Sequence, residues 1–166
     1  TAMGLLVLKA CDFREKGYDA KKIHDKIEKL VPKVSTTFVL NSLEYLHKGG
    51  RCSGVARFGA NILGIKPSIA VDNATGALDV AKKYRGKISK VVMDYVKDME
   101  ADLMAAKKDR VFITHSGCDK EIVDNVKEYL KSLNRFDEII ETRAGGVISS
   151  HCGPGTLGVL FIDGKN

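Results

Sequence analysis

The chain has 166 residues, 44% hydrophobic and 29% charged, with 27 basic against 21 acidic residues for a formal net charge of +6. That length suits one full-sized domain, and the apolar fraction supports a sizeable core. Three prolines and no Ser/Gly-rich tract exclude a disordered linker, and no apolar run reaches the about 18 residues of a membrane-spanning helix. The opening "TAMGLLVLKACDFREKG" has neither a basic n-region nor a small-residue cleavage site, so no signal peptide is expected.

Residues 2–16 predict a helix entering a core, with Leu5, Leu8 and Cys11 on one stripe. Asp19 should cap a second helix over 20–31, with Ile23, Ile27 and Leu30 at helical spacing and Pro32 as its stop. "STTFVL" (35–40) is short and rich in β-branched residues, a strand. Asn41 is placed to cap a helix over 42–48 that ends at Gly49-Gly50, with Lys48 near its negative end. A further helix is expected over 54–64. Residues 65–86 alternate around Asn-Ala-Thr-Gly and read as a hairpin. A long amphipathic helix over 87–107 would bury Val91, Val92, Tyr95, Met99 and Leu103. Then come a strand (110–115), a helix (118–133), a strand (137–144), a short helix (145–153) and a last strand (156–162). A hairpin followed by alternating helices and strands is an α/β pattern. The first 45 residues hold two helices but one strand, and they read as the tail of an earlier α/β layer.

The four cysteines, Cys11, Cys52, Cys118 and Cys152, form no CxxC pair, which points to reduced thiols in a cytoplasmic protein. Zinc is not expected, because structural sites usually bring ligands in close pairs; His47, Cys52, Cys118 and His151 are the set that could converge. The charges are interspersed along the helices, which fits a solvated basic face, an acidic protein partner or a peripheral membrane contact ahead of nucleic acid.

Three glycine-rich junctions carry the chemistry. In "THSGC" (114–118), His115 and Ser116 stand at the carboxyl end of a strand, where open α/β sheets bind ligands. The plainer reading is that Ser116 and Asp119 cap the next helix. In "RAGGVISSH" (143–151), Gly145-Gly146 opens a short helix whose N–H groups could meet an anion. In "HCGPGT" (151–156), Gly153 and Gly155 permit positive φ while Pro154 holds the turn and donates no N–H. No Gly-Lys-Ser/Thr follows, so this is not a Walker loop. Helical neighbours point apart, so His151 is poorly placed as a base for Cys152, and no GxSxG elbow occurs. Binding a small anion suits His151 better than breaking a bond. An acyl hydrolase or transferase using Cys152 or Ser116 with His115 or His151 is the alternative. A nucleic-acid or regulatory module is a third, motivated by charge alone.

Taken in order, "GLLVLKA", "TTFVLNSLEYLHKGGR", "LGIKPSIAVDNATGAL", "KYRGK", "VFITHSG" and "SSHCGPGTLGVLFI" resemble the DegV family over almost the whole chain, the last stretch most specifically. The resemblance implies a fatty-acid-binding protein, the acyl-carrier subunit of a bacterial fatty acid kinase, and not an enzyme itself. It implies two α/β domains similar to a dihydroxyacetone kinase domain, with a long-chain fatty acid held between them and no other cofactor. Residues 1–45 would then be the end of a largely missing N-terminal domain and 46–166 the C-terminal domain. His151 matches the histidine at the ligand carboxylate, Gly153, Pro154 and Gly155 the adjoining turn, and Thr1 stands near a hydroxyl position of the family. Arg51 and Arg85 match basic positions that face the kinase partner. His115 and Ser116 match a strand-end motif with no assigned role.

Overall fold

The computed structural model describes residues 1–50 and 64–165. Its elements are helix α1 (Ala2–Glu15), α2 (Ala20–Glu28), a 3-10 turn (Val31–Lys33), strand β1 (Val34–Val39) and α3 (Glu44–Lys48). After these come β2 (Ile65–Val71), β3 (Leu78–Arg85), α4 (Ile88–Asp98), α5 (Glu100–Ala105) and β4 (Ala106–Ser116). The chain closes with α6 (Lys120–Ser132), β5 (Glu138–Arg143), α7 (Gly146–Cys152) and β6 (Thr156–Asp163). The helix expected over 54–64 falls outside the described residues but for Gly64.

The six strands form one mixed sheet in the order β3-β2-β1-β6-β4-β5. Neighbours are antiparallel except β4 and β5. Residues 1–45 and 46–166 both contribute to it, for β1 is hydrogen-bonded between β2 and β6.

Strand alternation divides the core. Val111 and Ile113 of β4 and Leu157, Val159 and Phe161 of β6 face α4 and α6, which bury Val91, Val92, Tyr95, Val96, Ile122, Val123, Val126 and Leu130. On the other face, Phe112, Leu160 and Ile162 pack against Leu5 of α1. An ion-pair network pins α1 there: the Arg110 guanidinium donates to both Asp12 carboxylate oxygens at 2.7 and 2.8 Å and to Glu138 at 2.7 Å. That guanidinium holds the Asp12 carboxyl below the usual carboxylate range.

The predicted 87–107 helix breaks at Met99, and β4 begins at Ala106 rather than Arg110. Ala106 is fully buried and pairs with Asp163, so the chain must enter the sheet early. The charged run 107–110 then falls in a register shift between Ala106 and Val111, which spares those charges from the core. Two expected caps are also corrected. Asn41 does not cap α3: its side-chain and main-chain oxygens take the Lys66 ammonium at 2.6 and 3.1 Å, while Ser42 Oγ accepts the Glu44 N–H. A charged donor outcompetes a backbone N–H for a carbonyl. Asp119 sits at the start of α6 without a side-chain cap bond. Asp19 does cap α2, accepting from the Lys22 N–H at 2.8 Å.

Tyr95 joins the sheet to the α4 layer. Its buried hydroxyl donates to the Thr37 carbonyl at 2.9 Å and accepts the Val159 N–H at 3.1 Å, so it bridges β1 and β6 at a paired position. Tyr95→Phe strands both backbone groups and should lower stability by about 1–3 kcal/mol, readable as a shifted urea midpoint with unchanged slope.

Candidate functional site

The α1 face of the sheet is only partly covered. Between the start of α1 and the helix α7 lies a cleft of about 410 Å³, within the range of small-molecule sites. Its floor takes one or more residues from each of β1 to β4 and from β6: Leu78, Val71, Thr36, Phe38, Gly158 and Thr114, with Ala144 just beyond β5. The five strands from β3 to β4 are four spacings of about 4.8 Å, so the cleft crosses roughly 19 Å of sheet. Ala2, Leu46, Val147 and Ile148 make its walls mostly apolar. Val147 is 73% exposed and Ile148 48%, so α7 presents an apolar rim at the mouth.

The polar groups come from the strand ends and α7. Thr1, Ser116, His151 and Cys152 all line the cleft. Thr114 Oγ is 2.7 Å from Thr142 Oγ, and Thr156 Oγ donates to the Cys152 carbonyl at 2.9 Å. Ser116 Oγ donates to the Gly153 carbonyl, and the Gly155 N–H donates to the Ser116 carbonyl at 3.0 Å. The turn after α7 is thereby stapled to the end of β4. This corrects the expectation that Ser116 caps α6, a role part-filled by His115, whose Nδ1 accepts the Cys118 N–H at 3.2 Å. His115 is 4% exposed, and its Nε2 lies 3.3 Å from Glu141.

His151 stands apart. Among the described residues its Nδ1 is buried without a hydrogen-bond partner. The imidazole lies against Gly49 so closely that a Cβ there would fall 2.0 Å from Nδ1. Reciprocally, Gly153 (φ +77°) receives the Tyr45 ring, 2.3 Å from where its own Cβ would be. Two rings seated on two glycines thus lock α3 to α7. Neither seat was legible in the sequence, where Gly49 reads only as a helix stop.

Of the other expected site residues, Gly153 and Pro154 line a second cavity beside the cleft, and Gly155 packs on Asn41. Arg85 is exposed at the end of the edge strand β3, away from the cleft. Arg51 and Cys52 lie outside the described residues. Cys152 is a poor nucleophile: burial pushes its thiol up to about 11, leaving it protonated at neutral pH.

The α/β sheet thus carries one long, mostly apolar cleft with the His151 imidazole among its lining residues. The chain belongs to the DegV family, matching its model, described as an uncharacterised protein family, over residues 1–164. A DegV domain-containing protein of Clostridium acetobutylicum is 32% identical over 165 residues, covering 98% of this chain and 56% of that protein. A fatty-acid-binding DegV family protein from Thermus thermophilus superposes with a TM-score of 0.83 at 29% identity, over 98% of this chain and 57% of that one. The fold is also that of the Streptococcus pneumoniae fatty acid kinase B3 protein loaded with linoleic acid (TM-score 0.78, 21% identity, 96% of this chain and 55% of that one). The chain therefore spans about half the length of the relatives it matches.

Proposed function

We propose that this chain forms one wall of a long-chain fatty-acid site. The acyl tail lies along the cleft, and the carboxylate is held by His151 beside the Gly153-Pro154-Gly155 turn, with Thr1 as a further donor. The observation that carries this reading is the His151 imidazole on the lining of an apolar cleft that crosses five of the six strands. The cleft's breadth of roughly 19 Å suits a long acid better than a short one. The fatty-acid binding of the Thermus thermophilus protein supports the same reading.

Each buried methylene contributes about 0.8 kcal/mol, so a tail of about 16 carbons is worth roughly 10 kcal/mol gross before ordering costs. The head group adds less and mainly sets direction. The carboxylate would then be presented to a kinase partner that performs the phosphoryl transfer, with Arg51 and Arg85 as the basic residues that bind that partner. The chain itself needs no nucleophile for this role, and the protonated Cys152 thiol fits it better than the hydrolase alternative.

The test is calorimetric titration of delipidated protein with palmitate. Wild type should bind it, and His151→Ala should weaken binding by about 10- to 100-fold, the value of one charge-assisted hydrogen bond. Equal affinity in the two proteins would remove His151 from the site. Turnover of a chromogenic ester that disappears in Cys152→Ala would favour the hydrolase.

A further inference from the structure

The second cavity, of about 340 Å³, opens over the carboxyl ends of β4 and β5. It shares His115, Ser116 and Ala144 with the acyl cleft, so the two adjoin at the end of β4. Its own residues are Gly117, Arg143, Ser149, Gly153 and Pro154. Apart from Arg143 these are small or rigid, and none is apolar enough to hold a lipid tail.

Arg143 is exposed and makes no ion pair among the described residues. Glu141 is the acid on the same face of β5, two residues earlier, and it already lies 3.3 Å from His115 Nε2. Burial chiefly raises the neighbouring Cys118 thiol; the Asp119 charge raises it further and the Arg143 charge lowers it. The guanidinium is thus left with free donors, in a concavity that begins where the polar turn of the acyl cleft ends. A planar fork of N–H donors suits a tetrahedral oxyanion with several acceptor oxygens.

We propose that this cavity is a phosphoryl-oxyanion subsite in which Arg143 is the binding residue. The oxyanion could be the phosphorylated head of a lipid lying in the acyl cleft or free phosphate. The inference rests on the fatty-acid reading only for the first source.

The experiment titrates palmitate, hexadecyl phosphate and inorganic phosphate into wild type, Arg143→Gln and Arg143→Lys, and records the Gly117 and Ser149 amide signals by NMR. Hexadecyl phosphate should lose about 10- to 100-fold in affinity in Arg143→Gln, with partial rescue in Arg143→Lys, while palmitate affinity is unchanged. Inorganic phosphate should shift both amide signals in wild type and neither in Arg143→Gln. Phosphate shifts without any Arg143-dependent gain for hexadecyl phosphate would assign the subsite to free phosphate. Phosphate shifts in a protein that binds no palmitate would leave the subsite standing and end the fatty-acid reading. No phosphate shift in wild type, or equal losses for palmitate and hexadecyl phosphate in Arg143→Gln, would overturn the proposal.

Discussion

Gly153→Ala should cost about 2–5 kcal/mol of folding stability, among the largest effects of any single methyl in this chain. Two costs add. The backbone at φ +77° and ψ 172° is in a region that side chains avoid, at about 1–3 kcal/mol. The new Cβ would also stand 2.3 Å from Tyr45 Cδ2, an overpacking worth about another 1–3 kcal/mol. The two parts separate in a double-mutant cycle by chemical denaturation. Tyr45→Ala should relieve the steric part of Gly153→Ala and leave the backbone part, a coupling of about 1 kcal/mol or more. Additive losses would mean that the ring does not rest on this glycine.

Gly49→Ala should act on the ligand more than on the fold. The Gly49 backbone, φ −78°, accepts any side chain without strain, so its whole cost is the collision of the new Cβ with the His151 ring 2.0 Å away. The ring must leave its seat, and α7 moves with it. Palmitate affinity should fall by about 100-fold, at least as far as in His151→Ala, because the displaced ring also intrudes on the cleft. Combining the two substitutions should restore the affinity of His151→Ala alone, since alanine at 151 removes the clash. A Gly49→Ala protein that binds palmitate like wild type would show that the imidazole's position does not matter to the ligand. The Gly158 floor position differs in kind: its would-be Cβ meets the Thr37 carbonyl at 2.6 Å, which no rotamer change can relieve.

Local pattern made most elements readable. Asp19 followed by an apolar repeat marks α2, the alternation around Asn-Ala-Thr-Gly marks the β2–β3 hairpin, and Val91, Val92 and Tyr95 mark the buried side of α4. These features depend on residues a few positions apart, and spacing encodes them. The break at Met99 was not readable, because what ends that helix is the burial of Ala106 against β6, 57 residues downstream in the pairing with Asp163. Asn41 and Ser116 show the same thing at smaller scale. Each has a plausible cap partner nearby in sequence, and each is claimed instead by a group from another element, Lys66 and Gly153.

By itself the sequence determined the α/β class and the family, and it singled out His151 and the Gly-Pro-Gly turn as candidates for a site. Tertiary structure alone decided that the cleft crosses five of the six strands, that α3 and α7 lock through rings on glycines, and that Arg143 opens beside the cleft with no ion pair among the described residues. The physical reason is that a side chain's free donors and free volume depend on what other strands and helices leave vacant around it. That remainder exists only once the sheet order has brought β2, β1, β6 and β4 side by side.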